Sequence, residues 1–188
     1  MKFLPIIKSS EAEFESLIQA AKLMAVSART APKSGGKDDI HILIVYGEEK
    51  DKLAEEMVKI GEERKIQGFL RDAKNVKDSS AVVLIGVEGI KKFGLNCGAC
   101  GFKTCDEFEK AEKTKGLDFS GPTCIFKALD LGIALGSAVK TASLLNVDNR
   151  IMYRIGAAAT RLKLMPESSV IMGVPISAKG KNIYFDRV

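Results

Sequence analysis

The sequence predicts a layered α+β or α/β domain interrupted by a cysteine-rich segment. Apolar runs of strand length alternate with longer stretches of helical periodicity, and the helical stretches dominate. The 188 residues suit one domain, or one domain with a small inserted unit, and are enough to bury a core without disulfides. All four cysteines fall between positions 97 and 124, where glycines are frequent and core residues are few.

Taken in order, Ser10 followed by Glu13 reads as a capping box, with each side chain satisfying a free N–H of the first turn. The helix it opens runs to about Ala28, with Phe14, Leu17, Ile18, Ala21 and Met24 or Ala25 at helical spacing, and Pro32, Gly35 and Gly36 end it. Ile40–Tyr46 is a buried strand. Glu48–Lys65 is an amphipathic helix with Leu53, Met57 and Ile60 inward, Asp72–Ser80 is polar and turn-like, and Ala81–Val87 is a second buried strand. Residues 94–124 read as a cofactor unit inserted into a domain made of 1–93 and 125–188. Ile125–Leu145 is a long apolar helix carrying the small residues Ala128, Gly132, Ala134, Gly136 and Ala138. Asp148 caps a further helix from about Asn149 to Lys163. Val170–Pro175 and Asn182–Phe185 read as strands.

The net charge of +5 is modest, and Lys and Arg are interleaved with acids rather than gathered into a run. Trp is absent and aromatics are 6%, so no base-stacking platform stands out and nucleic acid is not an expected partner. No apolar stretch reaches the roughly 18 residues that would span a bilayer. The opening residues are too short for a signal-peptide core, so a cytoplasmic location is expected. In a reducing compartment, clustered cysteines point to a metal or cluster rather than to bridges.

The cysteines follow Cys97-x2-Cys100-x4-Cys105-x18-Cys124. A 4Fe-4S cube needs four thiolates, one per iron: three close ligands can wrap three corners, and the fourth needs a remote one, here Cys124. Gly98 and Gly101 let the loop fold tightly, and their amides can point at sulfur. Cys105 leads into a short helix and Cys124 into the long one, so two helix starts carry positive partial charge towards the site. A structural zinc is the nearest rival, since Cys97-Gly-Ala-Cys100-Gly looks like a zinc knuckle, although a second Cys-x-x-Cys pair is lacking.

The run Asn96–Cys124, with its Cys-Gly-x-Cys-Gly-x-x-x-Cys pattern and later Cys, resembles the small 4Fe-4S domain of electron-transport complex subunits and corrinoid iron–sulfur proteins. That likeness implies Cys97, Cys100, Cys105 and Cys124 as the ligands. Ala31-Pro32-Lys33-Ser34-Gly35-Gly36 followed by Ile40–Tyr46 resembles the Ala-Pro-Ser-x-x-Asn turn and strand of nitroreductases. Asp130–Leu145, Met165-Pro166 and Val170–Pro175 resemble their central helix, Leu-Pro turn and Gly-Tyr-Pro strand. Over nearly its full length the chain is similar to an uncharacterised family of ferredoxin-domain-containing proteins.

The resemblance implies a nitroreductase-like α+β fold and a homodimer that holds FMN across its interface. It also implies electron transfer to a redox partner protein or a small-molecule substrate, as a flavin-dependent oxidoreductase if FMN is bound. The Arg-Arg-Ser-x-Arg segment by which nitroreductases grip the phosphate is absent, leaving Arg29, Lys33 and Arg187 as the candidate phosphate contacts. The competing expectation is a non-catalytic module whose zinc or cluster only holds the inserted loop. Lys33–Lys37 lacks the order of a phosphate loop and follows a helix, so it reads as a helix stop. His41, the one histidine, reads as a structural residue of its strand.

Overall fold

The computed structural model of the chain describes residues 6–186. Four helices and two strands carry the N-terminal and central parts: α1 (Ser9–Thr30), β1 (Ile40–Tyr46), α2 (Gly47–Arg64), α3 (Gln67–Asp78), β2 (Ala81–Val87) and α4 (Cys105–Lys110). They are followed by β3 (Thr114–Lys115), β4 (Ser120–Gly121), α5 (Ile125–Leu144), β5 (Asp148–Asn149), α6 (Tyr153–Arg161) and β6 (Val170–Ser177). The main sheet has the order β1-β2-β6-β5 and every pairing is antiparallel, while β3 and β4 make a separate small ribbon.

Helices cover both faces of the main sheet, so its central strand has no water side. Successive β2 residues point to opposite faces. Val83, Ile85 and Val87 join Leu17, Ala21, Met24, Leu131 and Ala138 under α1 and α5. Val82 and Leu84 join Leu53, Met57, Phe69, Val76 and Ile155 under α2, α3 and α6. All seven β2 residues are buried, which is why the strand reads as an unbroken apolar run rather than an alternation. At the α6–β6 contact the layers nearly touch: a Cβ on Gly156 would lie 1.6 Å from the Ile171 carbonyl oxygen.

Four sequence expectations are corrected. α1 begins after Lys8 and no side chain caps it, so the Ser10–Glu13 capping box does not form; both residues lie inside the helix. Asp72–Ser80 is not a turn but mostly the C-terminal half of α3. Its polar residues mask a buried stripe of Phe69, Ala73 and Val76 at i, i+4 and i+7. Asp148 does not cap a helix: it pairs with Ser177 in β5, and α6 starts only at Tyr153. Asn182–Phe185 forms turns, not a strand, because the buried Tyr184 packs its ring into the core beneath α2 and α3.

Candidate metal centre

The chain leaves the sheet at the end of β2 and enters a loop that owes its shape to four left-handed residues: Gly94, Asn96, Gly98 and Gly101. Asn96 tolerates φ 51° because its short side chain bonds locally. Its Oδ1 accepts from the Cys105 N–H at 2.7 Å, and its own N–H donates to Cys105 Sγ at 3.3 Å. This reciprocal pair closes the loop and aims one backbone donor at a cysteine sulfur. Gly98 and Gly101, φ 74° and 90°, shape the turn between Cys97 and Cys105, and the Gly101 N–H donates to the Gly98 oxygen at 2.9 Å.

Thr104 caps α4, its Oγ1 accepting from the Glu107 N–H at 3.1 Å, while Glu107 Oε2 accepts from the Lys103 N–H at 3.1 Å. Cys105 is therefore held at the first position of that short helix. Lys92 ties the loop to α4 through Asp106 and Glu109, each at 2.8 Å. Cys124 immediately precedes α5, and its N–H donates to the Gly89 oxygen at 2.8 Å, anchoring it to the segment that follows β2.

All four cysteines line one recess, together with Phe93, Phe102, Phe108 and Phe126. The recess has a volume of about 320 Å³, including its opening to solvent. Cys124 forms its buried floor, Cys100 and Cys105 are partly exposed, and Cys97 lies at the mouth. Phe102 meets Phe108 edge-on at 5.8 Å, and Phe93 stacks on Phe126 at 5.4 Å. These rings form the apolar part of the wall that the cysteines share. Among the described residues, no three His, Cys, Asp or Glu side chains are drawn together tightly enough for a single ion.

The candidate phosphate contacts lie elsewhere and are engaged. Arg29 Nη1 donates to Asp38 Oδ2 at 2.5 Å and to the Ile40 oxygen at 2.8 Å. Lys33 closes the end of α1, its Nζ donating to the oxygens of Ala28, Arg29 and Ala31 at 3.2, 2.5 and 2.9 Å. Arg187 lies outside the described residues. The turn itself is pinned by Asp130, whose Oδ1 accepts from the N–H and the hydroxyl of Ser34, both at 2.8 Å. His41 faces Glu167, Nδ1 to Oε1 at 3.4 Å.

The sequence named the cysteines and the two glycines but missed Asn96. Asn96 had a local signal: it is among the non-glycine residues that most readily adopt a left-handed backbone, and it sits beside a cysteine.

Residues 120–187 match the model of a family described as uncharacterized protein containing a ferredoxin domain, and residues 94–112 match a model of an Fe-S cluster segment. An uncharacterized protein of Archaeoglobus fulgidus is 50% identical over 182 residues, covering 97% of each chain. Among solved structures, the nitroreductase CinD of Lactococcus lactis, in complex with nicotinic acid, superposes with a TM-score of 0.58 at 14% identity over 94% of this chain and 81% of that one. A Desulfovibrio desulfuricans protein solved with FMN gives 0.55 at 14% identity over 90% and 78%. These likenesses show a nitroreductase-like fold. Among the described residues, no helix is long and apolar enough to cross a membrane.

Proposed function

Since the chain belongs to the family of uncharacterised proteins containing a ferredoxin domain, we propose that it holds one 4Fe-4S cluster on Cys97, Cys100, Cys105 and Cys124 and works as a one-electron redox protein. The observation that carries the reading is the convergence of all four cysteines, one of them 19 residues from the next nearest in sequence, on a single aromatic-walled recess. The donor set fits: a cube takes four thiolates, one per iron, and all four cysteines line the recess. When bound, a cluster of this kind accepts and releases single electrons.

The chain's own residues divide the remaining work. Asn96 orients Cys105 and offers its N–H to the sulfur, and hydrogen bonds to a ligand sulfur raise a cluster's potential. The Phe93, Phe102, Phe108 and Phe126 rings exclude water, and Cys97 at the mouth leaves one side open to an electron-exchanging partner. Residues 94–124 are the cluster-carrying unit, inserted between β2 and α5 of the nitroreductase-like domain. Arg29 and Lys33 are bound to the chain's own acceptors and do not fit a free phosphate grip, so no flavin-dependent step is assigned to them. The outer face of α5 exposes Ile125, Leu129 and Ile133 around open glycines 132 and 136, which supports a homodimer through this face.

The test is iron, acid-labile sulfide and zinc analysis of anaerobically purified protein together with its visible spectrum. Four irons and four sulfides per chain with broad charge-transfer absorbance are expected. Resolved flavin bands in that spectrum would add FMN. A colourless protein carrying one zinc would overturn the cluster and leave a structural metal module.

A further inference from the structure

Behind the recess lies a buried ammonium that the ligand set does not explain. Lys127 is the third residue of α5, one turn past Cys124, and is 1% exposed. Its Nζ donates to Asp39 Oδ2 and stands 5.4 Å from the centre of the Phe93 ring. Phe93 and Phe126 are stacked and both line the recess alongside the four cysteines, so the ammonium packs on a ring that is itself part of the recess wall. Asp39, itself nearly buried, also accepts from Lys91 at 2.8 Å. Lys91 is half exposed and shared with Glu88, so water screens it.

This placement works against local stability. The first turn of a helix favours acids and disfavours cations, yet α5 has no acid there and carries a buried lysine. Removing an ammonium from water is costly as well, and Asp39 offsets that cost only in part. Phe93 is gripped on several sides: Lys37 Nζ donates to its carbonyl oxygen at 3.3 Å and lies 5.2 Å from its ring, and a Cβ on Gly35 would come within 3.0 Å of the ring. The wall between the charge and the recess is therefore firmly placed. What an unfavourably placed cation can stabilise is negative charge on the far side of that wall. A thiolate-ligated cluster is an anion, and reduction adds one more negative charge to it.

We propose that Lys127 is a positioning residue for redox chemistry: its buried ammonium, presented across Phe93 and held by Asp39, raises the reduction potential of the centre bound by Cys97, Cys100, Cys105 and Cys124. The inference rests on the cluster reading above. It assigns opposite effects to the two members of one buried ion pair. The cation favours the reduced, more negative state, and the carboxylate behind it weakens that preference.

The experiment is an anaerobic potentiometric titration of the purified full chain with dithionite, supplying one electron per centre, read by electron paramagnetic resonance. Iron and sulfide contents are measured on the same samples. Lys127→Met is expected to shift the potential to more negative values, Lys127→Arg to keep it at the wild-type value, and Asp39→Asn to shift it to more positive values. A purely structural role for the pair would move Lys127→Met and Asp39→Asn the same way, or neither, and that result overturns the proposal. If Lys127→Met fails to load iron, the other two variants decide: a wild-type potential in Lys127→Arg with a more positive one in Asp39→Asn upholds the inference, and any other pattern overturns it. A wild-type protein with no iron and no reducible centre would overturn the cluster reading itself, a result distinct from a loaded centre whose potential ignores the pair.

Discussion

Cys124 is the one buried member of the four cysteines, and it is held from both sides: its N–H by the Gly89 oxygen and its carbonyl by the Ala128 N–H at 3.1 Å. Its backbone is therefore fixed by the sheet-side loop and by α5, independently of any bound centre. Replacing it with Ser should abolish iron loading while far-ultraviolet circular dichroism keeps its helical signal. Cys97→Ser, at the mouth, should likewise lose iron with the main domain intact. A variant that kept full iron content would remove that cysteine from the ligand set. Gly156 shows the same scale of argument in the core. Ala there would drive a methyl into the Ile171 carbonyl, so α6 must move off β6. A loss of at least about 1–3 kcal/mol in denaturant unfolding is expected, the range for overpacking.

α3 shows how an element escapes a reading by composition. Its polar residues are prominent, yet Phe69, Ala73 and Val76 form a buried stripe, and Asp72 is buried too. That carboxylate survives burial because Arg71 Nη2 donates to Oδ1 at 2.7 Å and Arg154 Nη1 to Oδ2 at 2.8 Å. Phe69→Ala should cost about 3–5 kcal/mol in chemical unfolding, the usual range for emptying a core aromatic site. If α3 were a surface turn, the cost would be near zero. α5 carries the opposite lesson. Its buried face packs on α1 and the sheet, but its outer face is apolar as well. Ile133→Glu should leave the fold intact and split the proposed dimer, seen by light scattering as a fall to the 20.3 kDa chain mass. Wild-type protein already at that mass would remove the dimer.

The whole molecule should respond to pH at both extremes. Burial pushes the Asp39 carboxyl up, but hydrogen bonds from Lys127 and Lys91 outweigh it and hold it below the ordinary 3.8. Asp38 is lowered in the same way, with burial opposing and Arg29 prevailing, and Asp78 is lowered by Lys74. A depressed folded value means that the stability is fully present above 3.8 and is lost as pH falls through the folded values. Thermal midpoints followed downward from about pH 6 should therefore fall more gently in Asp39→Asn than in wild type. At the alkaline end, burial pushes Tyr184 up to about 12, and its hydroxyl bonds to Ser79 at 2.8 Å. A raised value works in the other direction: its contribution is complete below 10 and is lost as pH rises through about 12. Tyr184→Phe should start less stable by about 1 kcal/mol for the lost bond and then show a smaller alkaline decline than wild type.

How much of this could be read from the chain alone depends on how far apart the interacting residues lie. Strands β1 and β2, helices α2 and α5, and the cysteine spacing were readable because each is a local pattern: a short apolar run, a helical period, or three cysteines within nine residues. The cluster-type ligand set followed from that spacing and from resemblance. The order β1-β2-β6-β5, the placing of Cys124 on the floor of the recess, Asp130 pinning Ser34, and Asp39 holding Lys127 across 88 positions have no local period. Two residues far apart in sequence meet only because the packed layers bring them together. The charge behind the recess wall was therefore decided by tertiary structure, while the cysteines in front of it were already written in the sequence.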